Sequence, residues 1–168
     1  MMNKKPRFSA FLTLMSLSLC LLATSSLANS KITTLSFTDF DNNEVTLADF
    51  DVTKPYYLKF WASWCKPCMK QMPHLKHTME SYSDSLNFVS VNIALSETDD
   101  DITQVLKKFG FTDPVFKDSH GHLRKALKFA GTPYHVLVNT QGNVVYTTHE
   151  ANEDLDRKIA LLARANDQ

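Results

Sequence analysis

Trp61-Ala62-Ser63-Trp64-Cys65-Lys66-Pro67-Cys68 is the stretch on which the reading of this chain turns. It closes an apolar run, Tyr56-Tyr57-Leu58-Lys59-Phe60-Trp61, and runs into residues of helical composition. A Cys-x-x-Cys pair at a strand-to-helix junction places the first sulfur at a helix N-terminus. There the positive end of the macrodipole and free backbone N–H groups favour thiolate over thiol. Cys65 is therefore the candidate nucleophile, and Cys68, one turn into the helix, is placed to resolve a mixed disulfide. Pro67 fits the first helical turn, where its missing N–H costs nothing. Trp64 is expected to shield one side of Cys65.

Outward from that stretch the chain divides into a leader and one domain. Lys4, Lys5 and Arg7 precede an apolar segment, Ala10 to Ala23, and Ser26-Leu27-Ala28 sets small residues where a signal peptidase cuts. This predicts a signal peptide over residues 1–28 and a domain over residues 29–168, with a retained membrane anchor as the alternative. The apolar segment is shorter than the roughly 20 residues of a spanning helix. Leu19 before Cys20 argues against a lipidation site. Lys and Arg total 18 and Asp and Glu total 18, and loss of the basic leader makes the remainder slightly acidic. With no polybasic run, nucleic acid and anionic membrane surfaces are not expected partners.

Of the three cysteines, Cys20 leaves with the leader, so Cys65 and Cys68 are the pair that remains. A secreted disulfide scaffold would carry more cysteines at wider spacing. The loop between Cys65 and Cys68 is too short to restrict the unfolded chain much, which argues for a working couple over a staple. No metal is expected: a structural zinc site needs four ligands, and His120-Gly121-His122 reads as a solvated turn.

Along the chain, Ile32–Phe37 and Glu44–Leu47 read as short strands around a turn. Tyr56–Phe60 and Asn87–Ala94 read as central strands, and Met69–Ser81 as a helix kinked at Pro73. Residues 97–101 form an acidic, solvated lead into a helix over Ile102–Phe109, ended by Gly110. Val115–Lys117 reads as a short strand, and His122–Ala130 as an amphipathic helix with Gly131 as its C-cap. Tyr134–Asn139 and Asn143–Thr148 form a hairpin, and Asn152–Ala165 is the last helix. The order predicts an α/β domain, a mixed sheet with helices on both faces. Gly131-Thr132-Pro133 opens a strand. Its local sequence allows either an ordinary trans proline or a cis-proline loop facing the cysteines.

Phe60 to Cys68 resembles the active-site signature of the thioredoxin superfamily. Met69-Lys70-Gln71-Met72-Pro73-His74, the hairpin ending in Val45-Thr46-Leu47-Ala48-Asp49-Phe50, and Gly131-Thr132-Pro133 before a strand–turn–strand resemble its exported TlpA-like branch. The resemblance covers essentially all of residues 29–168. It implies a thioredoxin fold with an N-terminal β-hairpin, Cys65 attacking, Cys68 resolving, and Pro133 as the cis-proline beside Thr132. No cofactor beyond the cysteine pair is implied. The implied activity is thiol–disulfide exchange by a monomer of the bacterial cell envelope or periplasm. Its implied partners are exported protein disulfides, with apocytochrome c or copper-site assembly proteins as client classes and a DsbD-type membrane reductase as electron donor.

Two positions depart from that branch. A buried acid or an Asn is usual where this chain has Lys59, and a Glu is frequent where it has Gln71. Both changes, with Lys66 between the cysteines, make the site less negative and favour thiolates. A stabilised reduced form makes the disulfide a better oxidant. This predicts a depressed Cys65 pKa and a couple less reducing than cytosolic thioredoxin. Lys59 either snorkels its ammonium to water or is buried, partly neutral, and able to relay the proton of Cys68. Three rival readings follow: a disulfide oxidase or isomerase, a Cu(I) chaperone drawing on Cys65, Cys68, Met69 and Met72, and, more weakly, a peroxidase.

Overall fold

The computed structural model describes residues 32–165; the leader with its proposed cleavage site, and Cys20, lie outside the described residues. Strands are β1 (Phe37–Thr38), β2 (Glu44–Val45), β3 (Tyr56–Trp61), β4 (Asn87–Asn92), β5 (Val115–Lys117), β6 (Tyr134–Val138) and β7 (Val144–Thr148). Helices are α1 (Lys66–Tyr82), α2 (Asp99–Phe109), α3 (His122–Leu127) and α4 (Glu153–Arg164). The strands form one mixed sheet in the order β2-β1-β5-β4-β3-β6-β7. β3 pairs parallel with β4 and antiparallel with β6, so it lies in the middle of the sheet. That position explains its apolar run, because every residue of β3 is buried.

Side chains alternate across a strand. Phe60 of β3 meets Phe129, ring centroids 4.8 Å apart, on the face that also carries α3. Lys59 reaches Gln71 of α1, which places α1 on the opposite face. α4 joins α1 there through His74 Nε2 and Asp156 Oδ1, 2.8 Å apart. The helices thus cover both faces, and Cys65 opens α1 at the C-terminal end of β3.

α1 continues through Pro73 as an unbroken helix. Pro73 has no N–H, so the Met69 carbonyl loses its usual intrahelical donor. The buried side of α1 carries Cys68, Met72, Leu75 and Met79.

Several element ends differ from the sequence reading. Ile32–Thr34 is a 3-10 turn, not a strand, and it turns Ile32 into the core. α2 begins at Asp99, because Thr98 and Asp101 form a capping box that draws the acidic residues into the first turn. Gly110 ends it at φ 67 as expected. α3 stops at Leu127 and not at Ala130, since Lys128 takes a left-handed conformation at φ 54. That early stop swings Phe129 inward, where it stacks on Tyr134 at 4.6 Å. Gly131 is therefore not a C-cap.

Candidate active site

Cys65 is the N-cap of α1, and its sulfur accepts a hydrogen bond from the Cys68 backbone N–H at 3.2 Å. The two sulfurs are joined as a disulfide, with Cα atoms 5.2 Å apart. Both cysteines are buried, Cys68 completely. Lys66 and Pro67 are exposed on the first turn between them. A helix N–H aimed at Cys65 sulfur stabilises negative charge there once the disulfide opens.

Trp64 stands half exposed at the rim, its indole N–H donating to the Leu95 carbonyl at 2.8 Å. Leu95 is itself exposed, so the two residues form an apolar shoulder beside the disulfide. The loop before β6 lies at the same end of the sheet, across β3 from β4, since Phe60 pairs with Tyr134. The Thr132–Pro133 peptide is cis, Pro133 is buried, and its carbonyl oxygen sits 2.6 Å from His149 Nδ1. Thr132 Oγ1 is buried without a hydrogen-bond partner.

Glu97 is a site residue that the sequence hid within its acidic run. One of its oxygens accepts from the Ser63 backbone N–H at 2.7 Å, and the other is buried without a partner. It belongs to the rim of the cysteine loop, not to a solvated lead. The reason is local: the turn before Cys65 leaves the Ser63 N–H free, and the chain after Leu95 brings a carboxylate to it. A less negative site is therefore only part of the picture, since the Glu97 carboxylate holds the N–H of Ser63, two residues before Cys65.

A second polar cluster is buried between β3, β6 and α1. Lys59 does not snorkel: it is 1% exposed. Its ammonium nitrogen contacts Gln71 Oε1 and lies 2.9 Å from His135 Nε2. His135 Nε2 is 3.1 Å from Gln71 Oε1, and His135 Nδ1 is 2.6 Å from the Tyr57 hydroxyl. Burial pulls Lys59 down from its ordinary value to about 7. Burial, then the Lys59 charge, holds His135 far below the usual imidazole range. Burial also raises Tyr57 well above the usual phenol value. All three are pushed towards their neutral forms.

The sequence singled out Lys59 and Gln71 but missed His135 and Tyr57. Lys59 and His135 are direct partners in the β3–β6 register, and Tyr57 is the diagonal neighbour. The available signal was a polar residue in each of two apolar strands, Lys59 in one and His135 in Tyr134-His135-Val136. Met72, considered as a soft ligand, lies in the core, with Met69 partly buried against it. Among the described residues no group of three or more His, Cys, Asp or Glu side chains is placed to hold a metal.

A mixed sheet with a Cys-x-x-Cys disulfide opening the first long helix and a cis-proline loop beside it defines a protein of the thioredoxin fold. Within that class, the chain belongs to the Redoxin family, whose model matches residues 27–161. It is 29% identical over 127 residues to the thiol-disulfide oxidoreductase ResA of Bacillus thuringiensis subsp. konkukian, covering 73% of this chain and 72% of that protein. It is 34% identical over 92 residues to the sporulation thiol-disulfide oxidoreductase A of Bacillus subtilis, covering 54% and 56%. A solved structure of a secreted Mycobacterium tuberculosis disulfide oxidoreductase superposes with a TM-score of 0.66 at 17% identity, covering 79% of this chain and 99% of the other. These relatives agree with the TlpA-like branch to which the motifs pointed.

Proposed function

We propose that this chain is a thiol–disulfide oxidoreductase of the bacterial cell envelope that reduces disulfides in exported proteins. The observation that carries the reading is the placement of the cysteines: Cys65 at the N-cap, its sulfur facing a helix N–H, and Cys68 one turn deeper and fully buried. In the reduced protein Cys65 thiolate attacks a client disulfide. One client sulfur leaves as a thiolate and takes a proton from solvent, and a mixed disulfide forms at Cys65. Cys68 then attacks Cys65 sulfur, the second client sulfur leaves, and the Cys65–Cys68 disulfide closes. Two electrons pass from the protein to the client. A dithiol donor, of the DsbD membrane-reductase type, restores the pair.

The rim supplies the docking groups. Trp64 and Leu95 offer apolar contact. The cis-Pro133 loop offers backbone polar groups to an extended client segment, with Thr132 beside them. Lys66 and Pro67 are exposed to a client on the helix turn. The work is that of a monomer. Export of the domain at residues 29–168 behind the leader at residues 1–28 fits the layout of that leader, with a membrane-anchored form as the alternative.

The test is capture of partners by Cys68→Ser expressed in the envelope. Disulfide-linked exported proteins should accumulate on Cys65 and disappear on reduction. Absence of any such adduct rejects the exchange mechanism. Alkylation trapping of the unmodified protein reads its direction: a mostly reduced pair fits a reductase or an isomerase, and a mostly oxidised pair replaces that reading with the oxidase one.

A further inference from the structure

The β6–β7 ladder stops short of the cis-proline, and a side chain completes it. The last register pair at this end is His135 with Thr148. Continued, the register would set Tyr134 opposite His149 and Pro133 opposite Glu150. Pro133 has no N–H to give, so the ladder cannot run on in full. Its carbonyl still needs a donor, because Pro133 is buried. The backbone N–H of Glu150, which would face it, goes to Thr148 Oγ1 at 3.1 Å. The donor comes instead from the His149 ring, whose Nδ1 lies 2.6 Å from the Pro133 carbonyl oxygen.

A carbonyl oxygen only accepts, so the proton of this bond sits on His149 Nδ1. The neutral ring is therefore the Nδ1–H tautomer. The ring is also held from its face. Tyr134 lies 4.9 Å from it, centroid to centroid, and stacks in turn on Phe129 at 4.6 Å, which packs on Phe60 of β3 at 4.8 Å. This series of rings runs from the middle of the sheet to its edge strand β7. The Thr132–Pro133 peptide is tied into it from both sides, by Phe129 before it and by Tyr134 and His149 after it. Among the described residues the backbone N–H and C=O of Thr132 have no hydrogen-bond partner. With the Pro133 carbonyl committed to His149, the backbone groups that this loop leaves to a client strand are those of Thr132.

We propose that His149 is a positioning residue for client docking: its Nδ1–H locks the Pro133 carbonyl and so fixes which backbone groups of the cis-proline loop meet an extended client. This rests on the oxidoreductase reading above. His149 acts before any bond is exchanged, so no proton or electron passes through it. What counts is its donor and not its charge, because a proton added at Nε2 leaves the Nδ1–H bond in place. Without that donor the Pro133 carbonyl is a buried acceptor with no partner, and the peptide beside Thr132 is free to turn. Binding of a client strand then pays for reordering the loop, while the chemistry at Cys65 is unchanged.

Two variants separate the donor from the bulk of the ring. His149→Asn keeps an N–H where Nδ1–H stands, and His149→Leu fills the place without one. Pre-reduced protein is mixed by stopped flow with a rising excess of a short peptide dimerised through its cysteine, which gives a half-saturation concentration and a limiting rate. His149→Leu should raise the half-saturation concentration about five- to ten-fold, as for one lost hydrogen bond, and hold the limiting rate within about two-fold. His149→Asn should stay within about three-fold of the unsubstituted protein in both. An unmoved half-saturation concentration in His149→Leu overturns the proposal. An equal rise in both variants, or a loss that falls on the limiting rate, overturns it as well. Nitrogen NMR of the imidazole in the unsubstituted protein checks the geometry whatever the folding of the variants: Nδ1 should carry the proton of the neutral ring, and a neutral ring protonated on Nε2 refutes the lock. If the unsubstituted protein exchanges with neither the peptide dimer nor dithiothreitol, the oxidoreductase reading falls and takes this one with it.

Discussion

Replacing Lys59 by Met should stabilise the disulfide form of the protein near neutral pH, although it deletes a hydrogen-bonded residue from the centre of the sheet. In the folded chain the amine titrates at about 7, against 10.5 when free. Between those values the unfolded chain binds a proton that the folded chain does not. Stability must therefore rise with pH across that window, and the burden is largest at and below pH 7. At about 1.4 kcal/mol per pKa unit, the burden is about 4 kcal/mol at pH 7 and about 1 kcal/mol at pH 9.5. Two lost hydrogen bonds offset about 1 kcal/mol each. His135 Nε2 and Gln71 Oε1, 3.1 Å apart, still satisfy each other after the change. The net gain is about 2 kcal/mol at pH 7, vanishing towards pH 9.5, where the lost hydrogen bonds dominate. Guanidinium unfolding of both proteins at the two pH values, without reductant, measures it. The unsubstituted protein should gain about 3 kcal/mol between pH 7 and pH 9.5, and Lys59→Met much less. A parallel pH dependence in the two proteins would refute the assignment of a buried neutral amine.

Three further perturbations probe the frame and the rim. Trp64→Ala removes the indole that donates to Leu95 and should slow exchange with protein disulfides on the order of ten-fold, as for an aromatic contact worth about 1–2 kcal/mol. Exchange with dithiothreitol should change little, and stopped-flow fluorescence with the two substrates separates the effects. Gly110→Ala places a Cβ at φ 67, 3.2 Å from Lys76 Nζ; the lysine tip can move, so the cost is conformational, about 1–2 kcal/mol in chemical unfolding. Phe129→Ala empties the space between Phe60 and Tyr134 and should cost about 3–5 kcal/mol, lowering the thermal midpoint without altering the pH dependence of exchange.

The cysteine pair, the central strand and the order of elements were legible because each depends on local chemistry. Cys65 needs only a strand before it and a helix after it. Gly110 ends its helix because its own backbone prefers the left-handed turn. Element ends that depend on distant packing were not legible. Lys128 takes the left-handed turn because Phe129 finds a place on Phe60 and Tyr134, contacts that no helical periodicity announces. Glu97 looked like its acidic neighbours, and only the fold brings it to the Ser63 N–H, 34 residues away. Lys59 stood out against its apolar strand, and its burial was one of two readings left open. What decided between them was His135, 76 residues distant, since a buried lysine needs partners that one segment cannot supply.

The Tyr57–His135–Lys59–Gln71 chain also bears on how such a site can be rewritten. Each member is held by the next, so a change at one member alters the hydrogen bonds left to its neighbours. Gln71→Glu would turn the amine into one half of a buried ion pair, and Lys59→Asp would leave the His135 N–H facing a carboxylate with no amine between them. The polarity of this cluster is thus inherited as a block of positions on two strands and a helix. Changing Cys65-Lys66-Pro67-Cys68 alone would leave that block untouched.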